Sequence, residues 1–253
     1  MTSHPHSRAI CGAFAEGARA PIVGAGALQP FGDCVVYGRL RGCDRIIHEA
    51  SQAGRDWFYI DRGYLRATRD TDYSGYFRVT CNHLQGDGTG TPNYDRLAAL
   101  GITLRPWRAD GHHVLVCPPG EVYAGLSGFD TVEWQRGVVE TLKAHTDRPV
   151  RVREKPRGGA RNVPLAQDLI DCWAVVAHSS NVAVDALVLG VPVFVTDRCG
   201  ARRCAETDLT RIESPRLPND REEWAATLAA QQWTLDEMRS GLAWRQLQEQ
   251  RGA

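Results

Sequence analysis

The sequence predicts an α/β protein built as two halves, and three observations carry that expectation. Apolar runs of strand length alternate with segments of helical periodicity, the pattern of βαβ units on a parallel sheet. The 253 residues exceed the usual size of one compact domain and suit two small ones. The strand–helix series restarts near residue 105, which places the division at residues 104–112 and defines halves of 1–106 and 107–253.

In the first half, Ala9–Phe14 of "RAICGAFAEGARAPIVGAG" predict a short strand, followed by a Gly- and Ala-rich loop that carries Glu16. "CVVYG" predicts a buried strand ending at Gly38, and Cys43–Ala53 a helix closed by Gly54. "DWFYIDRGYL" predicts an aromatic-rich strand that leaves the sheet at Asp61, and "YFRVTCNHLQ" another strand. "GDGTGTPN" then reads as a flexible loop.

In the second half, "HHVLVCPPG" predicts a strand stopped by two prolines and a glycine. "FDTVEWQRGVVETLKAH" has helical periodicity, with Asp130 as N-cap and Glu133 at the capping-box position. "RPVRVREKP" predicts a strand and "PLAQDLIDC" a short helix. "WAVVAHSSNVAVDALVLGVPVFV" predicts strand, helix and strand, and the tail from Asp220 is helical with one or two breaks.

Composition narrows the function classes. The 43% apolar and 24% charged residues are those of a soluble globular protein, and the zero net charge provides no global basic field for nucleic acid or acidic membranes. Lys143 and Lys155 are the only lysines, so the basic residues are nearly all Arg, which grips phosphate in a bidentate manner. Eight scattered cysteines form no CxxC pair and no His–Cys cluster at zinc spacing, predicting a reducing compartment and no metal. The N-terminus lacks an apolar signal core and no run approaches membrane-spanning length, so the expected location is cytoplasmic.

The candidate chemistry starts at the polar knot His178-Ser179-Ser180-Asn181, set between an apolar strand and an apolar helix. Serines and asparagine are strong N-cap types, so a capped helix explains them. In open α/β sheets, however, ligands bind beyond the carboxyl ends of strands, where helix amides and the helix dipole stabilise an anion. Asp185 lies one helical turn after Asn181, where it is either solvated or accepts hydrogen bonds from a ribose diol. In "VRVREKPR", Arg151, Arg153 and Lys155 alternate along a strand, either as a solvent-facing edge or as cations for a diphosphate.

The strand, "HSS", helix with Asp185 and "GVP" together resemble the donor half of GT-B glycosyltransferases, most clearly over residues 112–200. The chain also resembles capsular-polysaccharide glycosyltransferases and compact phage-encoded ones. That resemblance implies two Rossmann-like domains facing across a cleft, with a C-terminal helix crossing back to the first. It implies a nucleotide-sugar donor, UDP-sugar being the leading choice, with no metal and no further cofactor. The donor would be held by Arg153, Lys155, His178, Ser179, Ser180, Asn181 and Asp185. Two features depart from the family pattern: Asp185 stands where Glu is commoner, and the chain is short.

The first half would then supply the acceptor contacts and a base. Asp61 is the first choice and Glu16 the second, because a carboxylate at a strand exit can deprotonate a hydroxyl. His48 and His83 are weaker choices, and Trp57, Tyr59, Tyr64, Tyr73 and Tyr76 are core residues or stacking platforms. The expected activity is sugar transfer to a hydroxyl, either of a hydroxymethylated pyrimidine in double-stranded DNA or of a glycan. Alternatives are a nucleotide-sugar epimerase and a non-catalytic nucleotide- or DNA-binding protein. "GAGALQ" at residues 24–29 is only a partial dinucleotide fingerprint.

Overall fold

The computed structural model describes residues 5–23, 32–40, 42–65, 75–154 and 164–252. Along the chain run α1 (Pro5–Gly17), β1 (Cys34–Tyr37), α2 (Cys43–Gln52), β2 (Trp57–Arg62), β3 (Phe77–Cys81) and α3 (Tyr94–Ala99). There follow β4 (His113–Cys117), α4 (Glu121–Leu126), α5 (Thr131–His145), β5 (Val150–Val152) and α6 (Leu165–Asp168). The chain continues through β6 (Cys172–Ala177), α7 (Asn181–Val188), β7 (Val193–Val195), α8 (Arg221–Ala230), β8 (Gln232–Trp233), α9 (Leu235–Arg239) and α10 (Leu242–Gly252). The fold is α/β, with two four-stranded sheets.

Two compact units emerge: residues 1–84 with 229–253, and residues 85–228. The expected division at 106/107 thus differs from the grouping at both ends, for a backbone reason. Arg105 N–H donates to the Val188 carbonyl (2.9 Å) and Arg108 N–H to that of Gly190 (2.8 Å), tying this segment into the second unit. At the other end, β8 pairs antiparallel with β3, Phe77 opposite Trp233, so the tail completes the first sheet.

The first sheet has the order β1-β2-β3-β8 and is mixed rather than parallel. β1 and β2 run parallel around α2, but β3 and β8 are antiparallel to their neighbours. The strand expected at Ala9–Phe14 is part of helix α1. Ile10, Ala13 and Phe14 are buried at helical spacing and share a core cluster with Phe58, Ile60, Trp233 and Leu247. Small apolar residues suit either period, and here the i, i+3, i+4 face prevails. The break in the tail is β8 itself, whose Gln232 is buried and exchanges hydrogen bonds with both backbone groups of Leu65 (2.8 and 3.0 Å).

The second sheet is wholly parallel, in the order β5-β4-β6-β7. Its central strands read as continuous apolar runs because both faces are covered, and Val114, Val116, Ala174, Val176 and Phe194 are sealed in one core. Each of these valines and Phe194 contributes roughly 1.5–3 kcal/mol when fully buried. Helix α5 begins as expected: Asp130 accepts from the amides of Val132 (2.7 Å) and Glu133 (2.9 Å). Helix α7 buries Ala183, Val184, Ala186 and Leu187, while Val182 and Leu189 are half-buried. The loop at 86–93, expected to be flexible, is wedged at Gly88. A Cβ there would stand 2.6 Å from the Gly200 carbonyl and 2.8 Å from Trp224, and its φ is +80°.

Candidate functional site

The chain passes from β4 to β5 on one side, returns to β6, and leaves for β7 on the other. Strand order therefore reverses between β4 and β6, and their carboxyl ends splay connections in opposite directions. That switch point is where parallel α/β sheets leave a crevice for a ligand. The segments leaving β4 and β6 are "PPGEVY" and "HSSN".

His178 sits immediately beyond β6 and is 9% exposed. Its ring stacks on Phe129 at 4.7 Å and 18°, and meets Tyr123 and Trp134 edge-on at 6.0 Å. Nδ1 lies 3.1 Å from the Ser179 hydroxyl and 3.8 Å from the Asp197 carboxylate. Burial holds the imidazole pKa below its ordinary value, and Asp197 opposes that shift. Trp134 is fixed in turn, its indole N–H donating to the Thr196 hydroxyl at 2.9 Å. Ser180 is the N-cap of α7, accepting from the Val182 amide at 3.3 Å, and Ser179 is buried beside it. Asn181 and Asp185 are half-buried on the first two turns of α7.

The cationic part of the expected site is arranged differently. β5 is only three residues long, so Arg153 lies just past the strand, with its amide donating to Val116 O (2.8 Å). Its guanidinium pairs with Asp168 at the end of α6. Lys155, with the Pro and Gly residues after it, lies outside the described residues, as do Tyr73 and "GAGALQ". His178, Ser179, Ser180, Asn181 and Asp185 therefore form one continuous group, with Arg153 anchored to α6.

Both expected bases belong to the first unit. Asp61 is in β2 rather than at its exit, opposite Arg78 of β3. Its carboxylate accepts from Arg78 at 2.8 Å and from the Arg62 amide at 2.8 Å, with the Tyr59 hydroxyl at 3.4 Å. Glu16 is exposed on the last turn of α1, not in a loop. Trp57, Tyr59 and Tyr64 are core residues, whereas His83 is exposed.

Sequence reasoning missed Tyr123, Phe129, Trp134, Thr196 and Asp197. A usable signal for the last two was "VFVTD", an apolar strand ending in two polar residues at the binding edge of a parallel sheet. The aromatics were hidden inside a helix and its approach, where periodicity reads them as packing.

A separate open groove of about 610 Å³ is lined by His112, Lys143, His145, Thr146, Arg148 and Glu213. It lies by the amino ends of β4 and β5, away from the switch point, and its strongest cation, Arg148, already pairs with Glu213 (3.0 Å). Among the described residues, no three His, Cys, Asp or Glu side chains are grouped so as to hold a metal ion, and no helix is long and apolar enough to cross a membrane. All eight cysteines are free thiols.

The fold is thus α/β, with a wholly parallel sheet in the second unit and the polar group His178–Asn181 at that sheet's topological switch point. No protein-family model and no curated protein matches the chain by sequence. Among solved structures, it is similar to the KpsC β-Kdo 2,4 transferase of Thermosulfurimonas dismutans, with 14% identity, 87% of each chain covered and a TM-score of 0.49. It is also similar to the KpsC β-Kdo 2,7 transferase of the same organism, with 10% identity, 85% of each chain covered and a TM-score of 0.45.

Proposed function

We propose that the protein is a glycosyltransferase of GT-B type that moves a sugar from a nucleotide-sugar donor to an acceptor hydroxyl. The observation that carries this reading is the group beyond β6: His178, Ser179 and the Ser180-capped start of α7 at the switch point of a wholly parallel sheet. Helix amides and hydroxyls there suit an anion held beside a half-buried carboxylate, Asp185, which in turn suits a ribose diol. Arg153 and Lys155 complete the proposed donor set, and the nucleotide is proposed to be uridine.

In the proposed reaction, an acceptor oxygen attacks the anomeric carbon as the bond to the nucleotide phosphate breaks. The amino end of α7 and nearby cations stabilise the leaving phosphate. Asp61 or Glu16 takes the acceptor proton. We favour a glycan acceptor over hydroxymethylated DNA, because the chain carries no net positive charge to gather a polyanion.

The test is a panel of nucleotide sugars incubated with glycan acceptors and with hydroxymethylated duplex DNA, following nucleotide release. Release with a glycan supports the reading, and release only with DNA redirects the acceptor. No release with any donor, together with no nucleotide binding by calorimetry, sinks it.

A further inference from the structure

Among the described residues Asp197 is the one charged group acting on His178, and it lies beyond the end of β7 rather than within the strand. Its Oδ1 accepts the Arg198 amide at 2.7 Å, which curls the carboxylate back over the turn and leaves Oδ2 facing the imidazole. The Arg198 side chain then reaches the other way. Its Nε donates to the Gln85 carbonyl at 3.0 Å and its terminal nitrogen pairs with Asp87 at 2.9 Å.

The loop it grips is itself immobilised. Arg203 N–H donates to the Asp87 carbonyl (3.1 Å), and Gly88 fits under the Gly200 carbonyl and Trp224, where any side chain would clash. Asp87 also accepts from the Thr89 amide (3.1 Å) and hydroxyl (2.6 Å). Although burial opposes ionisation, those bonds and Arg198 hold its carboxyl below the usual range, so it is a charged anchor at neutral pH. A two-point grip by a planar guanidinium on a fixed carbonyl and carboxylate defines orientation in a way one ion pair does not.

We propose that Arg198 is a positioning residue: by clamping the turn after β7 onto the glycine-rich loop at residues 85–88, it fixes Asp197 against His178. Its significance for catalysis rests on the reading of His178 as part of the donor site. The placement of Asp197 does not.

The test follows the His178 imidazole by NMR through a pH titration, with H178Q assigning its signals. The groups facing the ring are Asp197 from the turn after β7, Tyr123 from α4, and the uncharged Phe129, Trp134 and Ser179. Asp197→Asn removes the carboxylate that favours the imidazolium, so the midpoint falls. Arg198→Ala is expected to move it the same way, and the double variant no further than Asp197→Asn alone. Arg198→Lys keeps a charge for Asp87 but cannot hold Gln85 as well, and should fall between. Should Arg198→Ala fail to fold, Arg198→Lys and Asp87→Asn carry the comparison. An unchanged midpoint in the Arg198 variants beside a shifted one in Asp197→Asn overturns the proposal, as does no shift in Asp197→Asn.

With an active donor in hand, Arg198→Ala should raise donor KM about tenfold, because the donor-site imidazole loses its fixed partner Asp197, and leave kcat within about twofold. A fall in kcat alone would overturn the positioning role. If no donor is turned over, the transferase reading fails while the NMR series still decides the role of Arg198.

Discussion

The two sheets handle their polar side chains in opposite ways. In the second unit all four strands run in one direction, so their carboxyl ends share an edge, where His178, Ser179, Ser180, Thr196 and Asp197 collect. In the first unit β3 runs against β1, β2 and β8, so the carboxyl ends of the strands are divided between two edges. Its polar groups are absorbed into the sheet instead: Arg78 is 2% exposed and holds both Asp61 and the Arg62 carbonyl, and buried Gln232 holds Leu65. Strand direction, more than composition, separates polar residues absorbed into a sheet from polar residues gathered at its edge.

The sharpest way to break this contrast is at the closing strand. Trp233→Ala should cost about 3–5 kcal/mol, since its fully buried ring packs the first sheet's core. Denaturant unfolding followed by His178 NMR signals would show whether the second unit keeps its site. Loss of both together would mean that the sheets do not behave as separate cores. Next in size, Arg78→Met should cost about 2 kcal/mol by leaving Asp61 and the Arg62 carbonyl without their buried donor. A neutral result would make that pair dispensable to the fold and leave Asp61 free for its proposed role as base.

In the second unit, Ser180→Ala should cost about 1 kcal/mol through the lost cap, and Ser180→Gly only a few tenths. A far greater loss of nucleotide affinity than of stability in Ser180→Ala would mark the hydroxyl as a ligand contact. The smallest effect concerns His113, which is 1% exposed with Nε2 donating to the Asp168 carbonyl and Nδ1 unpartnered among the described residues. Burial, then Arg151 and His112, lower its pKa, so the folded state resists a proton that the unfolded state accepts. Stability is therefore full above the ordinary histidine pKa of about 6.5 and falls as pH drops from there towards the lowered folded value. Urea midpoints at pH 7.5 and 5.5 should differ in the parent protein and differ less in His113→Phe, the remainder coming from His178, whose pKa burial also lowers. Equal slopes in both would assign the acid sensitivity elsewhere.

The second unit was the more legible half, for a physical reason. Parallel strands buried on both faces advertise themselves as apolar runs, and Asp130 and Ser180 mark their helix starts with side chains of fixed chemistry. The first unit misled because α1 is composed of residues that fit either period, and because β8 is two residues long and finds its partner some 150 positions earlier. No local pattern encodes such a pairing. The site was half legible: "HSSN" announced itself through capping chemistry, whereas Phe129 and Asp197 reach His178 only once three strand exits converge.

Trp134 has one more consequence. Its indole is held by Thr196 and lies edge-on to the His178 ring, so its emission is expected to follow the charge of that imidazole. The protein thus carries an optical reporter beside His178, and the difference spectrum between the parent and Trp134→Phe isolates that signal from the other six tryptophans.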